Sequence, residues 1–382
     1  MRIGILAHST NPRGGVVHAL ELGDALTRLG HEATVLAPDP AGAGFFRNTL
    51  CETLCVRASP VGSNLRDMVE ARVANYLRHF ERSEARCFEV WHAQDGISGN
   101  ALATLKDRGL ISAYGLTVHH VEHFDDDHVN ALRARAIKAA DRLFVVSDTW
   151  RDWLEREHAR DAHLVGNGVD TRRFSPVPDA TDSEFRVRFN LPAGAAVFLT
   201  VGGVEERKNT IRIVQAFQKV RLQFPSARLL IAGGASLLDH HAYQARFAGV
   251  LTHCGASAEA VIRTGPLPQR LMPALYRAAA LLVFPSTQEG FGLAVLEAMA
   301  SGVPVATSRM PPFTEYLSEE DVLWCNPFDA NSIGDAMARS LEPSIRDTLG
   351  ARGLRLAARH DWETTARAHL STYEKLREPI HA

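Results

Sequence analysis

The sequence predicts an α/β protein made of two parallel-sheet domains, and three observations point to it. Short apolar runs alternate with amphipathic stretches along the chain, the pattern of buried parallel strands joined by crossover helices. At 382 residues the chain exceeds the size at which a single core keeps growing, so two domains of ordinary size are expected. At Ser175 to Asp182, prolines and small polar residues replace the apolar period. A linker is expected there, between a first domain over 1–175 and a second over 183–360.

In chain order, Met1 to Ala7 is an apolar strand. It leads to Pro12-Arg13-Gly14-Gly15, which opens a helix carrying Val16, Val17, Leu20, Leu22, Ala25, Leu26 and Leu29. A glycine-rich turn into a helix presents backbone N–H groups to phosphate, but Gly14-Gly15 lacks the G-x-G-x-x-G spacing, and turn geometry alone would account for it. Arginines interleave with Leu65, Met68, Val69, Val73, Tyr76, Leu77 and Phe80. This is the one candidate for a membrane-surface helix, and core packing explains the stripe better. The strand Ala113 to Val118 runs into His119 and His120, and the C-terminal ends of strands are where open α/β sheets place ligands.

Glu122, His123 and Asp125 to Asp127 follow. With His119 and His120 they offer metal-ligating chemistry, but the spacing fits no structural zinc pattern, and the aspartates precede the amphipathic run Val129 to Ala140, where acids favour a helix start. No metal is expected. Asn167-Gly168-Val169-Asp170 reads as turn chemistry.

The second half opens with the strand Val197 to Val201 and the loop Gly202 to Lys208. Arg228 to Ala232 and Ala260 to Gly265 read as strands, and Pro268 to Ala279 as a helix. Leu281 to Pro285 is a buried strand, Ser286 to Gly292 a loop and Leu293 to Ser301 a helix. Glu289 therefore precedes that helix and Glu297 lies within it. Gly290 and Gly292 let backbone amides approach a ligand closely, and the helix start offers unpaired N–H groups to an anion. A diphosphate would suit that place. For two isolated acids the plain alternative is a capping residue and a solvated one.

The run Glu289 to Pro304, EGFGLAVLEAMASGVP, resembles the signature of the retaining glycosyltransferases of family 4, and the resemblance extends over nearly the whole chain. It implies the GT-B fold: two Rossmann-like parallel-sheet domains facing each other across a cleft that holds both substrates. It implies transfer of a hexose-type sugar from a nucleoside diphosphate sugar to a small-molecule or glycan hydroxyl, with retained configuration and without cofactor or metal. Residue by residue, it gives Glu289 to the donor sugar and its developing positive charge, Glu297 to the ribose, Lys208 to the diphosphate and His119 to the sugar. Gly14 and Gly15 would meet the phosphates, with Gly290, Phe291, Gly292 and Leu293 lining the donor site. Gly203 belongs to the same donor loop but stands where most relatives carry a phosphate-facing arginine; Arg207 is the expected substitute. The closing helix, Asp361 through Tyr373 to Arg377, resembles the family's last helix, which packs back on the first domain, with Trp362 as an anchor.

The absent arginine also suggests a non-catalytic sugar-nucleotide-binding module, against which Glu289, Glu297 and Lys208 argue. An epimerase or a phosphorylase of the same fold is the other rival. The acceptor-side loops around Phe45 to Val61 and Ile97 to Asn100 carry no transferable code.

A net charge of −2 supplies no broad field for nucleic acid. The five cysteines, Cys51, Cys55, Cys87, Cys254 and Cys325, are scattered and odd in number, which fits reduced thiols better than a disulfide framework. With no leader pattern and no run of about eighteen apolar residues, a cytoplasmic protein is expected. Oligomeric state is not legible.

Overall fold

The structure is a computed structural model that describes residues 1–62, 64–122, 124–234 and 241–377. The chain divides into two compact units, Met1–Asn167 joined by the segment from Trp362, and Gly168–Asp361.

The first unit holds a 7-stranded parallel sheet: β1 Arg2–Leu6, β2 Glu32–Asp39, β3 Glu52–Arg57, β4 Val90–Ala93, β5 Gly115–Val118, β6 Arg142–Val145 and β7 His163–Leu164, in the order β3-β2-β1-β4-β5-β6-β7. The second holds a 6-stranded sheet of β8 Val197–Val201, β9 Arg228–Ala232, β10 Val261–Gly265, β11 Leu281–Phe284, β12 Val305–Ser308 and β13 Leu323–Cys325, in the order β10-β9-β8-β11-β12-β13. Both are Rossmann-like. Their central strands are buried over nearly their whole length, which is why they read as near-continuous apolar runs. The chain order reverses between β1 and β4 in the first sheet and between β8 and β11 in the second. Ligands of open α/β sheets bind beyond the C-terminal ends of the strands at such reversals.

The division between the units falls at Asn167 and Gly168, upstream of the expected linker. Ser175 to Asp182 lies wholly in the second unit. Asp179 caps the helix Ala180–Arg188, accepting from the Thr181 N–H at 2.8 Å, and Arg277 pairs with Asp179 and Asp182 at 3.0 and 2.9 Å. The prolines mark the approach to a capped helix instead of a domain boundary.

The stripe at Leu65 to Phe80 is a helix whose Val69, Tyr76 and Phe80 are buried. The Tyr76 hydroxyl donates to the Ala7 and Leu36 carbonyls at 2.6 and 2.8 Å, tying the helix to the sheet. The closing helix Trp362–Arg377 lies against the helix Gly14–Arg28; Trp362 is buried, and His92 Nδ1 is 2.7 Å from the Tyr373 hydroxyl. Among the described residues no helix is long and apolar enough to cross a membrane.

Candidate functional site

At the second sheet's reversal, the loops after β8 and β11 meet. The backbone N–H of Thr287 donates to the Arg207 carbonyl at 2.9 Å, and the Asn209 amide donates to the Pro285 carbonyl at 3.1 Å. This lacing brings residues far apart in sequence onto one carboxylate oxygen: Lys208 Nζ lies 2.5 Å from Glu289 Oε1, and an Arg207 guanidinium nitrogen lies 3.1 Å from the same oxygen. The other arm of Arg207 reaches Glu205 at 3.2 Å, and Lys208 Nζ sits 4.3 Å from the centre of the Phe284 ring. Glu289 and Lys208 are both buried. Burial alone would raise the Glu289 pKa, but the charges of Lys208 and Arg207 outweigh it and hold the carboxyl below its usual range. Burial also lowers the Lys208 pKa, with Glu289 opposing that shift.

The helix Leu293–Ala300 starts on Gly292, whose φ of +98° favours glycine, and no side chain caps it. The Val295 N–H turns back to the Gly292 carbonyl at 2.9 Å, so the Leu293 and Ala294 amides are the ones this helix start offers to a ligand. Gly290 lies in the loop before it. The Phe291 ring is buried and stacks on Tyr316 at 4.6 Å, so this residue can offer a ligand only its backbone. Within the helix, Glu297 accepts a hydrogen bond from the Tyr276 hydroxyl at 2.5 Å. Burial raises the Glu297 pKa, while Tyr276 and Arg173 act in the opposite sense.

The missing arginine has a structural cause. Gly203 has a φ of +77°, and a Cβ there would lie 2.6 Å from the Gly234 carbonyl oxygen. Gly203→Arg is therefore expected to destabilise the protein, lowering the melting temperature by roughly 4–8 °C through left-handed strain and the clash. An unchanged transition in differential scanning calorimetry would contradict this.

In the first unit, Gly14 and Gly15 open the helix Gly14–Arg28 at the reversal beside β1, again with no side-chain cap. The imidazole of His119, just beyond β5, packs against Gly15, where a Cβ would come within 3.3 Å of His119 Cδ2. His119 Nε2 donates to Gln94 Oε1 at 2.8 Å, which fixes the ring. Burial, then the nearby His18 and His120, hold its pKa well below the usual value, so it is a neutral imidazole at neutral pH. His120 Nε2 lies 2.9 Å from Glu122 Oε1, and His123 lies outside the described residues. Among the described residues no three His, Cys, Asp or Glu side chains converge as a metal ion would require.

Sequence reasoning missed Tyr276, Glu205 and Gln94. Tyr276 sits in the short helix Met272–Arg277, Gln94 just past β4, and Glu205 in the loop after β8. None carries a local signal; only the fold brings them to Glu297, Arg207 and His119.

Two doubly wound parallel sheets in succession, one gathering cations and helix amides where its strand order reverses, make up the architecture of GT-B glycosyltransferases. Residues 12–173 match the sequence profile described as Glycosyltransferase Family 4, and residues 181–355 match Glycosyl transferases group 1. The chain belongs to the family 4 type of GT-B glycosyltransferases. It is 28% identical over 365 residues to a D-inositol 3-phosphate glycosyltransferase from a Nocardioides species, an alignment covering 88% of this chain and 75% of that protein. Sucrose-phosphate synthase from Thermosynechococcus elongatus shares the fold with a TM-score of 0.82 at 23% identity, over 98% of this chain and 99% of that one. Anabaena HepE, solved with UDP and glucose, does so with a TM-score of 0.79 at 16% identity, over 98% and 100%.

Proposed function

We propose that this glycosyltransferase moves a hexose from a nucleoside diphosphate sugar to a hydroxyl acceptor with retained configuration, in the cytoplasm and without a metal. The observation that carries this reading is the meeting of Lys208 and Arg207 on one Glu289 oxygen, beside an uncapped helix start, at the second sheet's reversal. Negative charge grows on the diphosphate as the bond to the sugar breaks, and fixed donors aimed at that charge lower the barrier. Lys208, Arg207 and the amides around Gly292 and Leu293 take that part. Glu289, ionised by its cationic neighbours, binds sugar hydroxyls and stabilises the positive charge left on the ring. Glu297, oriented by Tyr276, holds the ribose. In the first unit, the neutral imidazole of His119 suits a sugar hydroxyl, and the Gly14 and Gly15 amides suit a phosphate.

HepE binds UDP and glucose, so UDP is the first nucleotide to test. In a thermal-denaturation panel of UDP, GDP, ADP and their sugars, at least one should stabilise the protein by about 2–3 kcal/mol at a hundredfold excess over its Kd. Slow donor hydrolysis, lost in Glu289→Ala, would show catalysis, and product NMR would show retention. If no nucleotide shifts the transition, the reading is wrong.

A further inference from the structure

We propose that Glu205 is a positioning residue for the donor's diphosphate, holding the Arg207 guanidinium so that Arg207 supplies the cation that the backbone excludes at Gly203. The inference rests on the reading of this switch point as the donor site and adds to it a residue to which the resemblance gives no role.

The exclusion is built into two neighbouring turns. The Gly202 and Gly203 N–H groups both donate to the Ala232 carbonyl, at 2.8 and 2.9 Å. A Cβ on Gly233 would lie 2.9 Å from the Gly203 nitrogen, as one on Gly203 would lie 2.6 Å from the Gly234 oxygen. The diglycine turns after β8 and β9 thus interlock backbone to backbone, and no side chain can project from position 203. Lys208 is a single point charge and cannot bridge two phosphate oxygens as a guanidinium can.

Arg207 has the required geometry. Its two arms sit on different carboxylates, one 3.1 Å from Glu289 and the other 3.2 Å from Glu205. Glu205 is only 3% exposed. A buried carboxylate is costly unless paired, and beside an anion site it opposes the ligand's charge. Its position makes sense as the holder of one edge of the guanidinium, which aims the other edge at the space where Glu289 now lies. That second arm is the one a phosphate oxygen takes when the Glu289 carboxylate turns to the sugar.

The test uses the full-length protein, calorimetry, and UDP, GDP and ADP each paired with its nucleoside. Glu205→Gln preserves shape and one hydrogen bond, and Arg207→Lys preserves charge but not the fork, so both should fold, with the melting temperature of the free protein as a control. Each is expected to weaken the preferred diphosphate on the order of tenfold, with the double variant no worse than either, because the two residues act as one unit. Affinity for the nucleoside stays unchanged. If Lys208→Ala weakens the diphosphate while Glu205→Gln changes it by less than about twofold, the proposal fails and the donor site stands. Equal losses for nucleoside and diphosphate would make Glu205 merely structural and also overturn it. If no diphosphate binds the unaltered protein, or Lys208→Ala has no effect, the donor reading itself falls and takes the proposal with it.

Discussion

Lys208→Ala is expected to slow sugar transfer by about two to three orders of magnitude and to move the acid limb of the pH–rate profile to higher pH. The first effect follows from removing a fixed cation from a buried position next to the developing charge. The second follows from what Lys208 does to Glu289. Burial pushes the Glu289 pKa up, and Lys208 is the largest opposing influence, ahead of Arg207. With Lys208 present the folded-state pKa lies below the ordinary value. Ionised Glu289 therefore contributes stability above the unfolded pKa, and that contribution is lost as pH falls through the folded one. Without Lys208, burial regains ground, the carboxyl holds its proton to higher pH, and less of the enzyme carries the ionised Glu289 that the proposed reaction uses. Breaking a buried pair from one side also costs about 3–5 kcal/mol, with Arg207 keeping the loss toward the lower figure. Rates measured from pH 4.5 to 8 check this; an acid limb unmoved by the substitution would mean that Lys208 does not set the ionisation of Glu289.

The readable parts of this chain are those where one physical constraint leaves one mark. Val197–Val201 and Arg228–Ala232 form strands at the expected residues because a parallel strand covered on both faces must be largely apolar. Glu289 and Lys208, read from the sequence as parts of one candidate site, do meet on a single carboxylate oxygen, and the helix expected after Gly292 does start there. The domain division was not legible: prolines before Asp179 serve a helix cap as readily as a linker, and the letters do not distinguish the two. Gly203 shows the limit most clearly. Its departure from the family pattern is visible in the sequence, whereas the cause, a left-handed φ against the Gly234 carbonyl, exists only once β8 and β9 lie side by side. The same holds for histidines 18, 92, 119 and 369, which share no period and meet only through the sheet and the closing helix.

Those histidines lead to an expected loss of stability as pH falls from about 6.5 toward 4, well before the carboxylates titrate as a class. His18, His92 and His369 are fully buried, with ring centroids 5.9 Å apart for His18 and His369 and 5.4 Å for His92 and His369. Burial pushes His18 down to about 4, against the hydrogen bond its Nδ1–H donates to the Asn167 side-chain oxygen, and pushes His369 down to about 3, helped by the charge of His18. For a base with a lowered folded pKa, the unfolded chain binds the proton that the folded state refuses. Stability is therefore flat above about 6.5, declines below it, and has lost its full increment only below the folded pKa. For His18 alone that increment is on the order of 3 kcal/mol; the rings influence one another, so the increments do not simply add. Glu297, whose pKa is raised, acts in the opposite sense over part of this window, one group against several. Urea unfolding between pH 7.5 and 5 should show uptake of more than one proton per molecule. His369→Asn, which keeps a donor for the Thr365 carbonyl, should reduce that uptake by about one. Stability that stays level from pH 6.5 to 5 would show that the cluster accepts protons without unfolding. The pH range in which this enzyme can be assayed is then set by the histidines of the first unit before it is set by Glu289.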